Sequence, residues 1–135
     1  MGQKGSARTI LAAALLLLLA LPFAAMGVLL LNEVVIRGHV PSRSGGVFEV
    51  LVGSGVGLLL VAAIHLAGAA LTWRGSSRSL AHSIALAGVV LGAAAVGLSL
   101  FGARDVVALV LPFPLAYAAV LVGLRSARRP DTMRQ

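Results

Sequence analysis

Four stretches of this chain are each long and apolar enough to cross a lipid bilayer, and that property limits its folds more than any motif does. The first, Thr9 to Leu31, carries no charged residue. At about 1.5 Å of rise per residue, a helix of that length covers a hydrocarbon core of roughly 30 Å. The others occupy about 47–71, about 80–101 and about 106–124. Backbone N–H and C=O groups find no partner in hydrocarbon, so each stretch must satisfy its own, as a helix does. The expected fold is an all-α integral membrane protein, a four-transmembrane-helix bundle forming a single polytopic domain over residues 1–135.

Composition agrees with that expectation. With 59% hydrophobic and 11% charged residues and a mean hydropathy of +1.03, a soluble monomer would expose apolar patches that drive aggregation, whereas lipid covers them without cost. The chain has no cysteine, which excludes a disulfide framework, thiol catalysis and Cys-ligated zinc or iron–sulfur. A net charge of +7 raises the question of nucleic acid. Most Lys and Arg flank the apolar runs, however, and no basic domain with interleaved aromatics exists, so no nucleic-acid partner is expected.

The opening Met1-Gly2-Gln3-Lys4-Gly5-Ser6 fits the N-myristoylation pattern, with Gly2 as acceptor. That pattern is short and common, and a lipid adds little to a chain held by helices. The first span competes with a secretory signal peptide cleaved after Ala25-Met26-Gly27. Its apolar run continues through Val28 to Leu31, which favours a retained helix. Pro22 is expected to kink it. Residues 32–46 form the longest polar connection, an external loop in which Val34-Val35-Ile36 is too isolated to build a sheet.

The second span holds Val52-Gly53-Ser54-Gly55-Val56-Gly57 after an extended-looking run, so a dinucleotide fingerprint must be weighed. It fails: Leu58 stands where the third glycine belongs, and no acid follows about 20 residues on. In an apolar helix Gly53 and Gly57 read instead as a G-x-x-x-G pair that admits another helix. In the third span Ala81, Ala85, Gly88, Gly92, Ala95 and Ser99 alternate spacings of four and three, the seam of a left-handed helix pair. The second and third spans are therefore expected to pack closely. Pro112 and Pro114 interrupt the fourth span, and residues 125–135 form a basic tail. The spans differ in small-residue pattern and proline placement, which gives no support to an inverted-repeat transporter.

Charge sets the expected orientation. The amino terminus, the 73–79 linker and the tail carry Lys4, Arg8, Arg74, Arg78, Arg125, Arg128, Arg129 and Arg134, against Arg37, Arg43 and Arg104 on the other side. Eight basic residues against three place both termini and the linker in the cytoplasm. Trp73 falls at the interface where an indole is commonly found. The Ala, Leu, Val, Gly and Arg bias fits a GC-rich bacterial genome, hence a multi-pass protein of the bacterial inner (cell) membrane.

The carboxylates Glu33, Glu49 and Asp105 lie at span ends or in connections, which disfavours both ion-coupled transport and paired-carboxylate catalysis. Nothing places Asp105 near a histidine to complete a Ser-His-Asp triad. His65 lies about 9 Å inside its span at about 1.5 Å per residue, on a face of small and polar residues: Ser54, Gly57, Val61, Gly68 and Thr72. Tyr117 has a similar depth on the fourth span. Each needs a hydrogen-bond partner in hydrocarbon, so the two are expected to meet across the bundle. A metal or haem shared by His65 and His82 is disfavoured, because their depths differ by roughly 6 Å and further ligands are lacking.

No catalytic, cofactor or metal residue is therefore expected, and the chain is not expected to be an enzyme. The functional expectation is a non-enzymatic accessory or structural subunit of a larger membrane complex, with the bilayer and other membrane subunits, or itself, as partners. The alternative is a small oligomeric transporter or channel with His65 lining the path. A lipid-modifying enzyme is a distant third.

Overall fold

The computed structural model describes residues 7–38, 46–75, 78–102 and 104–126. Every element among them is helical: α1 (Ala7–Leu31), a π-helical turn (Asn32–Ile36), α2 (Val47–Trp73), α3 (Arg78–Gly102), a 3-10 turn (Arg104–Val106), α4 (Val107–Val110) and α5 (Pro112–Ser126). Together they make four helices long and apolar enough to span a membrane, Ala7–Ile36, Val47–Trp73, Arg78–Gly102 and Arg104–Arg125. Met1 to Ser6, with the acylation pattern, and the tail from residue 127 lie outside the described residues.

The helices form a ring in which α1 neighbours α2, α2 neighbours α3, α3 neighbours α5, and α5 returns to α1. The α1–α2 interface is the most extensive and α2–α3 the least. This corrects the expectation of close packing between the second and third spans. The buried positions of α2 explain it: Gly55, Ala62 and Ala69, with His65 and Thr72, recur on a seven-residue repeat. Such a repeat winds a helix against one neighbour in a left-handed supercoil. α1 answers with Thr9, Ala13, Leu16, Ala20 and Gly27. At the crossing, a Cβ on Gly27 would stand 2.9 Å from the carbonyl oxygen of Gly55, and one on Gly55 would stand 2.7 Å from the Leu31 side chain.

The small-residue seam of α3 faces α5. Side chains at Gly88 and Gly92 would run into Tyr117 and Pro114, respectively. α2 touches α3 chiefly near their linker, where a Cβ on Gly68 would meet Ile84 at 2.6 Å. Around that contact a shared core forms from Leu16 and Leu19 of α1, Ala69 of α2, Ala81 and Ile84 of α3, and Val120 of α5. Outward surfaces carry large apolar side chains such as Leu18, Leu29, Leu60, Leu98 and Val122, a pattern compatible with candidate membrane spans.

Local chemistry fixes the ends of these elements. Gly75, at φ +70, ends α2 in the left-handed conformation that glycine adopts without steric cost. Leu111 separates α4 from α5, which opens on Pro112 with Pro114 two residues on. Proline is tolerated in a first turn because its missing N–H has no intrahelical acceptor there. α1 runs unbroken through Pro22. Val34-Val35-Ile36, expected as loop, instead continues the first helix: the Arg37 amide donates to Asn32 O at 3.0 Å, and Glu33 pairs with Arg37 at 2.9 Å. The remainder of that connection, 39–45, lies outside the described residues.

Candidate functional site

His65 and Tyr117 are both 5% exposed and meet between α2 and α5, helices that are otherwise diagonal in the ring. His65 Nδ1 lies 2.8 Å from the carbonyl oxygen of Val61, one turn earlier on its own helix. A carbonyl only accepts, so Nδ1 carries the proton and donates it. The Nε2 of the neutral ring then accepts from the Tyr117 hydroxyl, 2.6 Å away. Phe23 reaches in from α1, its ring centroid 5.4 Å from that of the imidazole. Three spans thus fix one histidine in position, ring orientation and tautomer.

Depth makes this meeting possible. His65 lies eight residues before the end of α2, about 12 Å at about 1.5 Å per residue, and Tyr117 is at a comparable distance from the end of α5. Gly88 then supplies room for the phenol, since any side chain there would occupy the Tyr117 ring. Buried away from competing water, each polar group has strong reason to keep its partner.

The pair lies in the wall of a cleft of about 520 Å³ reached by residues of all four spans. On one side stand Val61 and Ile64 of α2, on the other Ala87, Leu91 and Ala95 of α3, with Phe113 beyond them. Apart from His65 and Tyr117 the lining is apolar. Ile64 and Leu91 are 50% and 70% exposed, so the mouth opens sideways between α2 and α3, where these helices part. Two serine hydroxyls elsewhere in the spans bond locally: Ser54 donates to Val50 O at 2.7 Å and Ser99 to Ala95 O at 2.8 Å.

Gly53 and Gly57 meet no other helix of this chain. A Cβ at either would meet nothing within 4 Å, and the close approach to α1 is made by Gly55. Gly55 lies two residues from each, roughly 200° around a helix of 3.6 residues per turn, hence on another face. Ser54 and Gly57 of the small, polar stripe accordingly fall away from the buried surface that His65, Gly68 and Thr72 share. His82 is half-buried on α3 and is not part of the cleft. Both ring nitrogens of His65 are engaged, which leaves no lone pair for a metal between the two histidines. Among the described residues no group of three His, Cys, Asp or Glu is placed to hold a metal ion.

Sequence reasoning missed Gly27, Gly55 and Phe23. Comparison with known families, curated proteins and solved structures finds no match. The class defined by fold and site is that of an all-helical protein with four candidate membrane spans and a polar pair beside a lateral cleft.

Proposed function

We propose that the chain is a non-enzymatic accessory or structural subunit of a larger membrane complex, multi-pass in the cell membrane. The observation that carries this reading is the open face at Gly53 and Gly57. The glycines at Gly27, Gly55, Gly68, Gly88 and Gly92 are each occupied by a neighbouring helix, whereas these two are not. In lipid, helix association is driven by close backbone approach at small residues, so an unfilled G-x-x-x-G face suits a helix from another chain. Gly53→Ile and Gly57→Ile test it, because neither disturbs the chain's own packing. Loss of co-purifying subunits in mild detergent with retained thermal stability supports the reading. Unchanged assembly in both variants refutes it.

The second reading, a small oligomeric transporter or channel, draws support from His65 lining the cleft. Both ring nitrogens are already engaged and the surrounding lining is apolar, so an ion crossing here meets few groups to replace its hydration. Ion flux in proteoliposomes, abolished by His65→Phe, would favour this reading over the first.

For orientation, we place both termini and the 73–79 linker in the cytoplasm. Arg8, Arg74, Arg78 and Arg125 gather at the linker end, which among the described residues holds no acid, while Glu33, Glu49 and Asp105 belong to the other end. This asymmetry follows the positive-inside rule. The chain has no cysteine, so single Ser79→Cys and Asp105→Cys variants report sidedness directly. Labelling of Ser79→Cys by an impermeant reagent in intact cells would reverse the assignment.

A further inference from the structure

We infer that the cleft between α2 and α3 is a binding site for a bilayer-dissolved hydrocarbon alcohol, whose hydroxyl donates to the phenolic oxygen of Tyr117. Its volume of about 520 Å³ lies within the roughly 300–1,000 Å³ of small-molecule sites. Its lining is apolar, and a trapped water would need two to four polar partners where the wall offers essentially one free acceptor. Hydrocarbon fills such a space better than water does. The mouth between Ile64 and Leu91 opens sideways, so a molecule dissolved in the membrane enters without crossing an aqueous phase.

The polar pair selects the functional group. The Nδ1 proton of His65 is committed to Val61 O, and Nε2 accepts the Tyr117 proton. One capacity remains, a lone pair on the Tyr117 oxygen, and it only accepts. An alcohol supplies the missing donor. An ether, an ester carbonyl or a carboxylate brings another acceptor and finds no proton to receive. Ala87, small and exposed on the same wall, leaves space beside the phenol for the carbinol end. From Ile84 to Ala95 the cleft follows α3 for about 16 Å at about 1.5 Å per residue, room for an extended chain rather than a compact headgroup. The site belongs to this chain alone and does not depend on the subunit reading.

Photolabelling of the full chain in phosphatidylcholine nanodiscs tests the inference, with hexadecanol carrying a diazirine next to its carbinol carbon as probe. Label is expected on α2 near Val61 to His65 and on α3 near Ala87 to Leu91. Unlabelled hexadecanol should displace it about tenfold better than hexadecyl methyl ether, the factor one net hydrogen bond supplies. His65→Phe frees the Tyr117 O–H to donate to the ether oxygen, so the two competitors should become equal. Ala87→Trp and Leu91→Trp, at exposed positions of the mouth, should remove the label while the fold is kept. Label spread evenly over all spans, equal competition by alcohol and ether in the unmodified chain, or retained labelling in both tryptophan variants overturns the proposal.

Discussion

The phenol of Tyr117 occupies the space that any side chain at Gly88 would need. Through that ring the absence of a side chain on α3 governs a hydrogen bond made between α2 and α5. Gly88→Ala should therefore displace Tyr117, at a cost of about 1–3 kcal/mol for overpacking a tight site. Tyr117 is the only tyrosine, so its hydroxyl resonance or fluorescence reports the displacement without assignment work. An unchanged tyrosine signal in a folded Gly88→Ala protein would contradict this geometry.

His65 and Tyr117 should be energetically coupled. Tyr117→Phe leaves Nε2 buried without a donor, and His65→Phe leaves the phenol without its acceptor. The double variant should be less destabilised than the sum of the single ones, by about 0.5–2 kcal/mol, the range measured for intramembrane hydrogen bonds. Thermal unfolding of the four proteins in one detergent gives the cycle, and strict additivity would deny the bond a role in stability.

The imidazole tautomer is open to direct observation. Nitrogen-15 spectra should place the proton of His65 on Nδ1, and Tyr117→Phe should move the Nε2 resonance while leaving Nδ1 bonded to Val61 O. A proton on Nε2 would require the Val61 contact to be rebuilt.

Glycine substitutions on α2 should divide sharply by face. Gly55→Leu must push α1 away at Leu31 and should cost about 1–3 kcal/mol. Gly53→Leu and Gly57→Leu meet open space and should leave the purified protein as stable as before. Comparing the three melting temperatures in detergent checks the division.

Thr72 is fully buried, and its hydroxyl has no hydrogen-bond partner among the described residues. Thr72→Val removes the unsatisfied oxygen at nearly the same shape, so stability should hold or rise by about 1 kcal/mol. A large loss would reveal a partner for that oxygen.

Much of this architecture is written plainly in the chain. Apolar length alone sets the number of candidate spans, and equal depth identifies His65 and Tyr117 as two polar groups in need of partners. Facing is harder to read. The stripe of small and polar residues on α2 leaves the buried side at its Ser54 end, so it does not mark which side meets α1 there, and three glycines at alternate positions offer two opposite faces. Gly55 is chosen by what stands across from it, Gly27 and Leu31, and no property of α2 contains that information. The seam of α3 is legible as a seam, but its neighbour is decided by the bulk of Tyr117 and Pro114 on the last helix. Phe23 escapes notice because one aromatic among leucines looks like any lipid-facing residue until the fold sets it beside an imidazole.

The distance along the chain between the two partners has a consequence for biogenesis. Tyr117 follows His65 by 52 residues, which at roughly 5–20 residues per second separates their synthesis by about 3–10 s. The first hairpin is complete in that interval, yet it holds an imidazole nitrogen with nothing to bond. Chains truncated between the two helical pairs should therefore be less stable to proteolysis than the full chain, because they hold that nitrogen unpaired.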